Sequence, residues 1–164
     1  MSVGLLTFTL LSIAFKNGEW IPKKYTSKGE DFSPPLIWEN TPSGTKTFAL
    51  ICHDPDAPVQ NGWTHWILWN IPTSLNSLPE DFGNKNHHPR NGIIQGTNSW
   101  GNDYYGGPAP PNGTHRYYFT LYALDTKLKL KKNATMLELQ EAMKSHIIEK
   151  TEIMGKFSAD GRDL

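Results

Sequence analysis

Two long apolar runs constrain this chain more than any other feature. "KTFALIC", Lys46 to Cys52, is apolar almost without a break, and "WTHWILWNIP", Trp63 to Pro72, repeats the pattern with tryptophans at 63, 66 and 69. Runs of this length, bounded by Pro, Gly and Asp, suit strands buried on both faces. Pro72 ends the second run by removing a ladder donor. "HRYYFTLYALD", His115 to Asp125, is the longest strand candidate, and "LLTFTL", Leu5 to Leu10, alternates as a half-buried strand should. The expectation is a mainly β fold with long, structured loops, organised as one domain over residues 1–164.

The first twenty residues, "MSVGLLTFTLLSIAFKNGEW", read as a strand pair, because they lack the basic start of a signal peptide. One helix is expected, over "TMLELQEAMKSHIIEKTEIMG", Thr135 to Gly155. Thr135 and Glu138 form a capping box, Leu139, Ala142, Met143, His146 and Ile147 share an apolar face, and Gly155 is the stop. A second short helix is expected near Ser77 to Phe82. "KLKLKK", Lys127 to Lys132, reads as a solvated edge strand or strand end. His87 and His88 read as exposed loop residues, and His146 as a packed helix residue.

Sixteen basic residues balance sixteen acidic ones, and this absence of surplus positive charge argues against nucleic acid as the partner. Cys52 is the only cysteine, so an intrachain disulfide is excluded and a reducing compartment fits. No stretch reaches the roughly 18 uninterrupted apolar residues of a membrane span. A cytoplasmic protein without stable membrane insertion is expected.

The stretch "HDPDAPVQNGWTHW", His53 to Trp66, packs acids, imidazoles, prolines and indoles into one loop and strand start. Side chains alternate along a strand, so Trp63, His65, Ile67 and Trp69 should share one face, and His115, Tyr117, Phe119 and Leu121 another. His65 and His115 each follow a stiff loop, "DPDAPVQNG" or "GGPAPPNGT". Asp54, His65, His115 and Tyr117 would then line a cleft at one sheet end, with Trp63 as a wall and the amides near Gly106 and Gly107 close to a ligand. Prolines 55, 58, 108, 110 and 111 would hold its shape. Each residue also has a structural reading, Asp54 and Asp56 as turn caps and the histidines as ordinary strand residues. Arg116 should point away from the cleft and pair with Asp56, tying the two loops together.

These segments resemble the signatures of the phosphatidylethanolamine-binding protein family, also called the Raf kinase inhibitor protein family. "DPDAPVQNGWTHW" matches an Asp-Pro-Asp-Ala-Pro motif followed by a Trp-x-His strand. "GGPAPPNGTHRY" matches its Gly-Pro-x-Pro-Pro-x-Gly-x-His-Arg-Tyr motif, and "IPKKYTSKGEDFSPPLIW" and "IIEKTEIMGKFS" extend the likeness to the bacterial and archaeal branch. The resemblance implies a Greek-key β-sandwich of two sheets with one C-terminal helix and few short helices. It further implies an anion pocket using Asp54, His65, His115 and Tyr117, lined by Trp63, Pro58, Gly107, Pro110 and Pro111. Family members bind phosphate-like groups such as phosphorylethanolamine, some eukaryotic ones regulate kinases, and bacterial-type ones are often dimers. Ser27 departs from the branch, which often carries Cys there, and the chain ends soon after the helix, where eukaryotic members add a pocket-gating segment.

The expected function is therefore binding of a small phosphorylated or other anionic ligand, with no cofactor, no metal and no catalytic residue. A carboxylate beside phosphate needs a shared proton or a neutral partner, which protonated His65 or His115 would assist. A kinase- or protease-inhibiting module and, less favoured, an acid/base or metal-dependent hydrolase are the alternatives. The partners expected are a small anion and a second copy of the chain as a homodimer.

Overall fold

The computed structural model describes residues 6–161. A three-stranded antiparallel sheet has the order β1-β2-β5, from β1 (Thr9–Leu11), β2 (Leu36–Glu39) and β5 (Ser77–Leu78). A five-stranded antiparallel sheet is built from β3 (Thr47–Asp54), β4 (Trp63–Pro72), β6 (Ile94–Gln95), β7 (Thr114–Leu124) and β8 (Ile147–Ser158). Its order is β6-β4-β3-β7-β8. The arrangement of β7 beside β3, rather than beside β6, is the crossing connection of a Greek key. The one α-helix among the described residues, α1, spans Met136–Met143, and Lys23–Tyr25 form a single 3-10 turn.

Both faces of the large sheet are covered, which is why β3 and β4 read as continuous apolar runs. Phe48, Leu50, Cys52, Trp66, Phe119 and Leu121 meet Leu10, Leu36, Trp38 and Leu78 of the small sheet in the sandwich core. On the opposite face Ala49, Ile51, Ile67 and Trp69 pack against Leu128, Leu139 and Met143. Burying each such side chain is worth about 1.5–3 kcal/mol.

The helix is much shorter than its periodicity implied. The capping box forms at Thr135 and Glu138, and Leu139 and Met143 are buried, but the helix stops at Met143. From Ile147 the chain runs as β8 along the whole of β7, from Leu124↔Ile147 to Thr114↔Ser158. Ile147, Ile148, Thr151 and Ile153 are β-branched and lose little by extending, and the ladder outweighs a solvated helix. His146 consequently lies beyond the helix, half-buried, with Nδ1 2.7 Å from Asp125 Oδ1. Gly155 is no helix stop either, since a Cβ there would come within 2.3 Å of Ile21 Cγ1.

Three other expectations are corrected. Residues 1–5 lie outside the described chain, and β1 pairs with β2 rather than with a neighbour inside the first twenty residues. Residues 17–21 instead cover the outer edge of β8, where Ile21 N–H donates to Lys156 O and Lys156 N–H to Glu19 O. Ser77–Leu78 form β5 and not a helix. Lys127 to Lys132 are irregular, with Leu128 buried and held by Asn70 through two side-chain hydrogen bonds of 2.8 and 3.0 Å. No described helix is long and apolar enough to cross a membrane.

Leu139→Ala should destabilise the protein by about 2–5 kcal/mol, because it empties the helix–sheet contact. Leu137→Ala, at a site 57% exposed, should cost under about 0.5 kcal/mol. Chemical denaturation of both variants checks this assignment of the helix's inner face.

Candidate functional site

β3 and β4 pair with one register through Ile51↔Ile67 and Cys52↔Trp66 and with another through His53↔Thr64 and Asp54↔Trp63. The slip leaves His65 as an extra residue, a β-bulge. Simple alternation would set His65 beside Ile67 and Trp69, on the helix-covered face. The bulge instead turns it toward β7, its ring 5.2 Å from that of Tyr117 and 5.0 Å from that of Trp100, both edge-on. The expected shared face of Trp63, His65, Ile67 and Trp69 is thus broken at His65. The other shared face holds, with Tyr117, Phe119 and Leu121 all in the sandwich core.

A cavity of about 320 Å³ opens at this end of the sheet, lined by Asp54, Pro58, Trp63, His65, Pro111 and Tyr117 together with Val59, Trp100 and Ala109. The last three were not among the sequence candidates. Trp100 stands against Trp63 at 5.6 Å, and an aromatic between loop glycines and asparagines in "NSWGN" was the available signal. Larger concavities of about 570 and 700 Å³ lie elsewhere, around His87 and His88. Size alone does not choose among them, but the smaller cavity gathers a buried acid, an imidazole and a phenol at one point.

His115 does not line the cavity; it stands behind Asp54, its Nδ1 2.6 Å from Asp54 Oδ2. A carboxylate oxygen accepts, so Nδ1 carries the proton. The other Asp54 oxygen accepts the Asp56 N–H at 2.8 Å. Asp54 is thereby held from two sides, 3% exposed. Asp56 in turn meets Arg116 through Nε at 2.9 Å and a terminal guanidinium nitrogen at 2.8 Å, and it also accepts the Arg116 N–H. This bidentate pair, with Arg116 directed out of the cleft, ties the Asp54 loop to β7, and the Arg116 hydrogen bond draws the Asp56 carboxyl below its ordinary range.

His65 Nδ1 lies 2.6 Å from the Gly106 carbonyl. That oxygen can only accept, so the proton sits on Nδ1 and Nε2 is a lone-pair acceptor. Burial pushes the His65 pKa down to about 4, so the ring is neutral at physiological pH and supplies no positive charge. Burial thus disfavours the protonated form of His65, one of the two imidazoles expected to assist an anion; the other, His115, hydrogen-bonds Asp54 from behind. No lysine or arginine among the described residues lines the cavity.

Tyr117 is fully buried, and its hydroxyl lacks a hydrogen-bond partner; the Ala109 amide influences it without reaching hydrogen-bond geometry. Burial, then the Asp54 charge, raise its pKa, keeping it a protonated donor. Gly107 and Pro110 are buried outside the cavity lining. The Gly107 N–H donates to Asp31 Oδ1 at 2.8 Å, and the Gly106 N–H to His65 O at 3.1 Å. Both amides expected to meet a ligand are thus spent inside the protein. Gly107 is still required, since a Cβ would come within 2.4 Å of Asp31 Oδ1 and 2.5 Å of Tyr25 O. No group of three metal-ligating side chains forms among the described residues.

The model of the family described as phosphatidylethanolamine-binding protein matches residues 11–158. The chain belongs to that family. A UPF0098 protein of Methanothermobacter thermautotrophicus is 44% identical over 144 residues, covering 88% of this chain and 94% of that protein. Escherichia coli YbhB, also a UPF0098 protein, is 39% identical over 122 residues, covering 71% of this chain and 77% of its own length. Among solved structures, Escherichia coli YbcL, described as a member of the mammalian PEBP family, superposes with a TM-score of 0.87 at 33% identity, covering 92% of this chain and 98% of YbcL. The PEBP homologue CT736 of Chlamydia trachomatis gives a TM-score of 0.83 at 39% identity, covering 92% and 97% of the two chains. The family assignment and the two-sheet architecture expected from the paired motifs therefore hold.

Because the His65 pKa is lowered in the folded state, the unfolded chain binds a proton first as pH falls through about 6.5. Stability should then decline between about pH 6.5 and pH 4, by about 3 kcal/mol in all from this residue. Urea unfolding of the wild type and His65→Gln across that range checks it, the variant showing the shallower slope. Arg116→Ala should lower stability more than it lowers affinity for an anion, since the guanidinium ties loops and does not face the cavity; paired unfolding and binding titrations check the ordering.

Proposed function

We propose that this protein binds a small phosphorylated ligand, with the monoprotonated phosphate seated among Asp54, His65 and Tyr117. The observation that carries the proposal is the Tyr117 hydroxyl, a buried donor without a partner at the wall of a cavity. Leaving such a group unsatisfied costs roughly 1–3 kcal/mol, which an acceptor oxygen from a ligand would return. The two other buried orphans, Trp38 Nε1 and Trp69 Nε1, line no such cavity.

The rest of the chemistry sets the ligand's protonation state. Asp54 and His65 Nε2 are the cavity's acceptors, Tyr117 is its fully buried donor beside the indoles of Trp63 and Trp100, and no described lysine or arginine lines it. A phosphate dianion would meet the Asp54 carboxylate with no described lysine or arginine in the lining to offset the repulsion. A monoanion donates its own proton to Asp54 or His65 and accepts from Tyr117, so a shared proton relieves the repulsion. Phosphorylethanolamine-like esters satisfy this pattern, and the family's name agrees with it. The kinase- or protease-inhibiting reading draws on one feature, the exposed Val59 and Trp100 at the cavity mouth, and a pulldown that fails with His65→Ala would favour it over a free metabolite.

Affinity for phosphorylethanolamine should rise as pH falls. With a second phosphate pKa of about 6, the monoanion fraction grows roughly 50-fold from pH 8 to pH 6, and His65, neutral throughout, adds nothing to that slope. Calorimetric titration at both pH values measures it; flat affinity would overturn the shared-proton arrangement. Tyr117→Phe should leave the unliganded protein as stable or slightly more stable, while weakening phosphorylethanolamine binding by about tenfold.

A further inference from the structure

We propose that a second anion site, independent of the Tyr117 cavity, lies at the β6 edge and takes a compact oligophosphate group. Two segments without a single acid converge there. Residues 84–97 carry Lys85, Arg90, His87 and His88, and residues 126–134 carry Lys127, Lys129, Lys131 and Lys132. Six of the chain's sixteen basic residues thus sit in these two stretches, leaving ten against sixteen acids elsewhere. The neutral total hides a strongly polarised surface, and such local fields raise the concentration of anions nearby.

The two segments are joined, and a cavity forms between them. Thr97 N–H donates to Ala134 O at 2.9 Å, and Lys127 Nζ lies beside Gly92. A cavity of about 570 Å³ is walled by Lys85, His87 and His88 on one side and Lys132 on the other, with Asp103 as its only carboxylate. Lys131 spends its charge on Glu138 at 3.6 Å, whereas Lys85, Lys127 and Lys132 have no carboxylate partner among the described residues. The cavity shares no lining residue with the Tyr117 site.

One buried side chain marks the cavity as built for an acceptor. Gln95 lines it while only 9% exposed, and its Oε1 receives the Trp66 Nε1–H at 2.6 Å. The Trp66 bond fixes the amide's orientation and leaves its NH₂, which only donates, for a ligand. Two unpaired ammonium groups, a fixed amide donor and two imidazoles suit several phosphate oxygens at once, which a single monoester would not fill. Next to it, sharing His87, His88 and Ile93, is an apolar cavity of about 700 Å³ walled by Leu75 and Phe82. A phosphate chain with an organic body, such as a nucleotide, would reach across that shared wall; an inorganic chain would use the basic cavity alone.

The test is a two-dimensional NMR titration with sodium tripolyphosphate and, separately, ATP, at constant ionic strength. The expected result is saturable shifts centred on the Gln95 side chain, Asn102 and Asn133. The double variant K85A/K132A should raise the Kd at least tenfold, while K16A/K150A, which removes the same charge elsewhere, should not. Phosphorylethanolamine binding at His65 and Tyr117 should be unchanged in K85A/K132A, so failure here is distinct from failure of the first site. ATP binding much tighter than tripolyphosphate, with shifts at Phe82 and Leu75, identifies a nucleotide-like ligand; equal affinities identify the phosphate chain. No saturable shift at Gln95 with millimolar ligand, shifts confined to the His65 and Tyr117 site, or equal weakening in both double variants would overturn the proposal.

Discussion

The candidate site depends on one extra residue in β4. Between Cys52↔Trp66 and His53↔Thr64 the register slips by one, and His65 takes up the slip. A side-chain period of two means that such a slip decides which face every following residue occupies. Above the bulge, Ile67 and Trp69 face the helix and Trp66 faces the sandwich core. Below it, Trp63 and Asp54 stand on the cavity side, while Thr64 and His53 turn to the helix, where Thr64 donates to Met136 Sδ. Without the bulge, His65 and Tyr117 would sit on opposite sides of the sheet and the cavity would lose its imidazole.

Around that bulge the structure assembles a layered support. Asp54 is held by His115 and the Asp56 amide, Asp56 by Arg116, and His65 by the Gly106 carbonyl. The loop carrying Gly106 and Gly107 is anchored in turn on Asp31, and the Tyr105 hydroxyl donates to Tyr25 O. The Tyr117 hydroxyl, by contrast, is fully buried at the cavity without a hydrogen-bond partner. Such an unpaired buried group carries a desolvation cost, which a hydrogen-bond acceptor in the cavity would relieve.

Much of this was legible along the chain, for identifiable reasons. The runs at Lys46–Cys52 and Trp63–Pro72 reported burial on both faces because hydropathy is a local record of environment. The matched loop motifs carried the family and its two-sheet fold. The Arg116–Asp56 contact followed from strand parity, since Arg116 lies between two inward residues. The helix was overextended because Ile147 continues a helical spacing while β7, far away in sequence, offers it a longer ladder. Gly106 and Gly107 read as ligand contacts because glycine signals close approach without saying to what; here the close approach is to the Trp100 ring at Gly106 and to Asp31 and Tyr25 at Gly107.

The sequence by itself determined the strands β3, β4 and β7, the stiff loops beside them and the residue types of the site, since these depend on composition, turn chemistry and period within a few residues. Tertiary structure alone decided that His65 leaves its expected face, that His115 stands behind Asp54 and not in the cavity lining, and that Trp100 and Val59 complete the wall. It also decided the burial that lowers the His65 pKa. A bulge, a register and a burial-shifted pKa are properties of pairs of distant segments, and no single stretch of sequence contains both members of a pair.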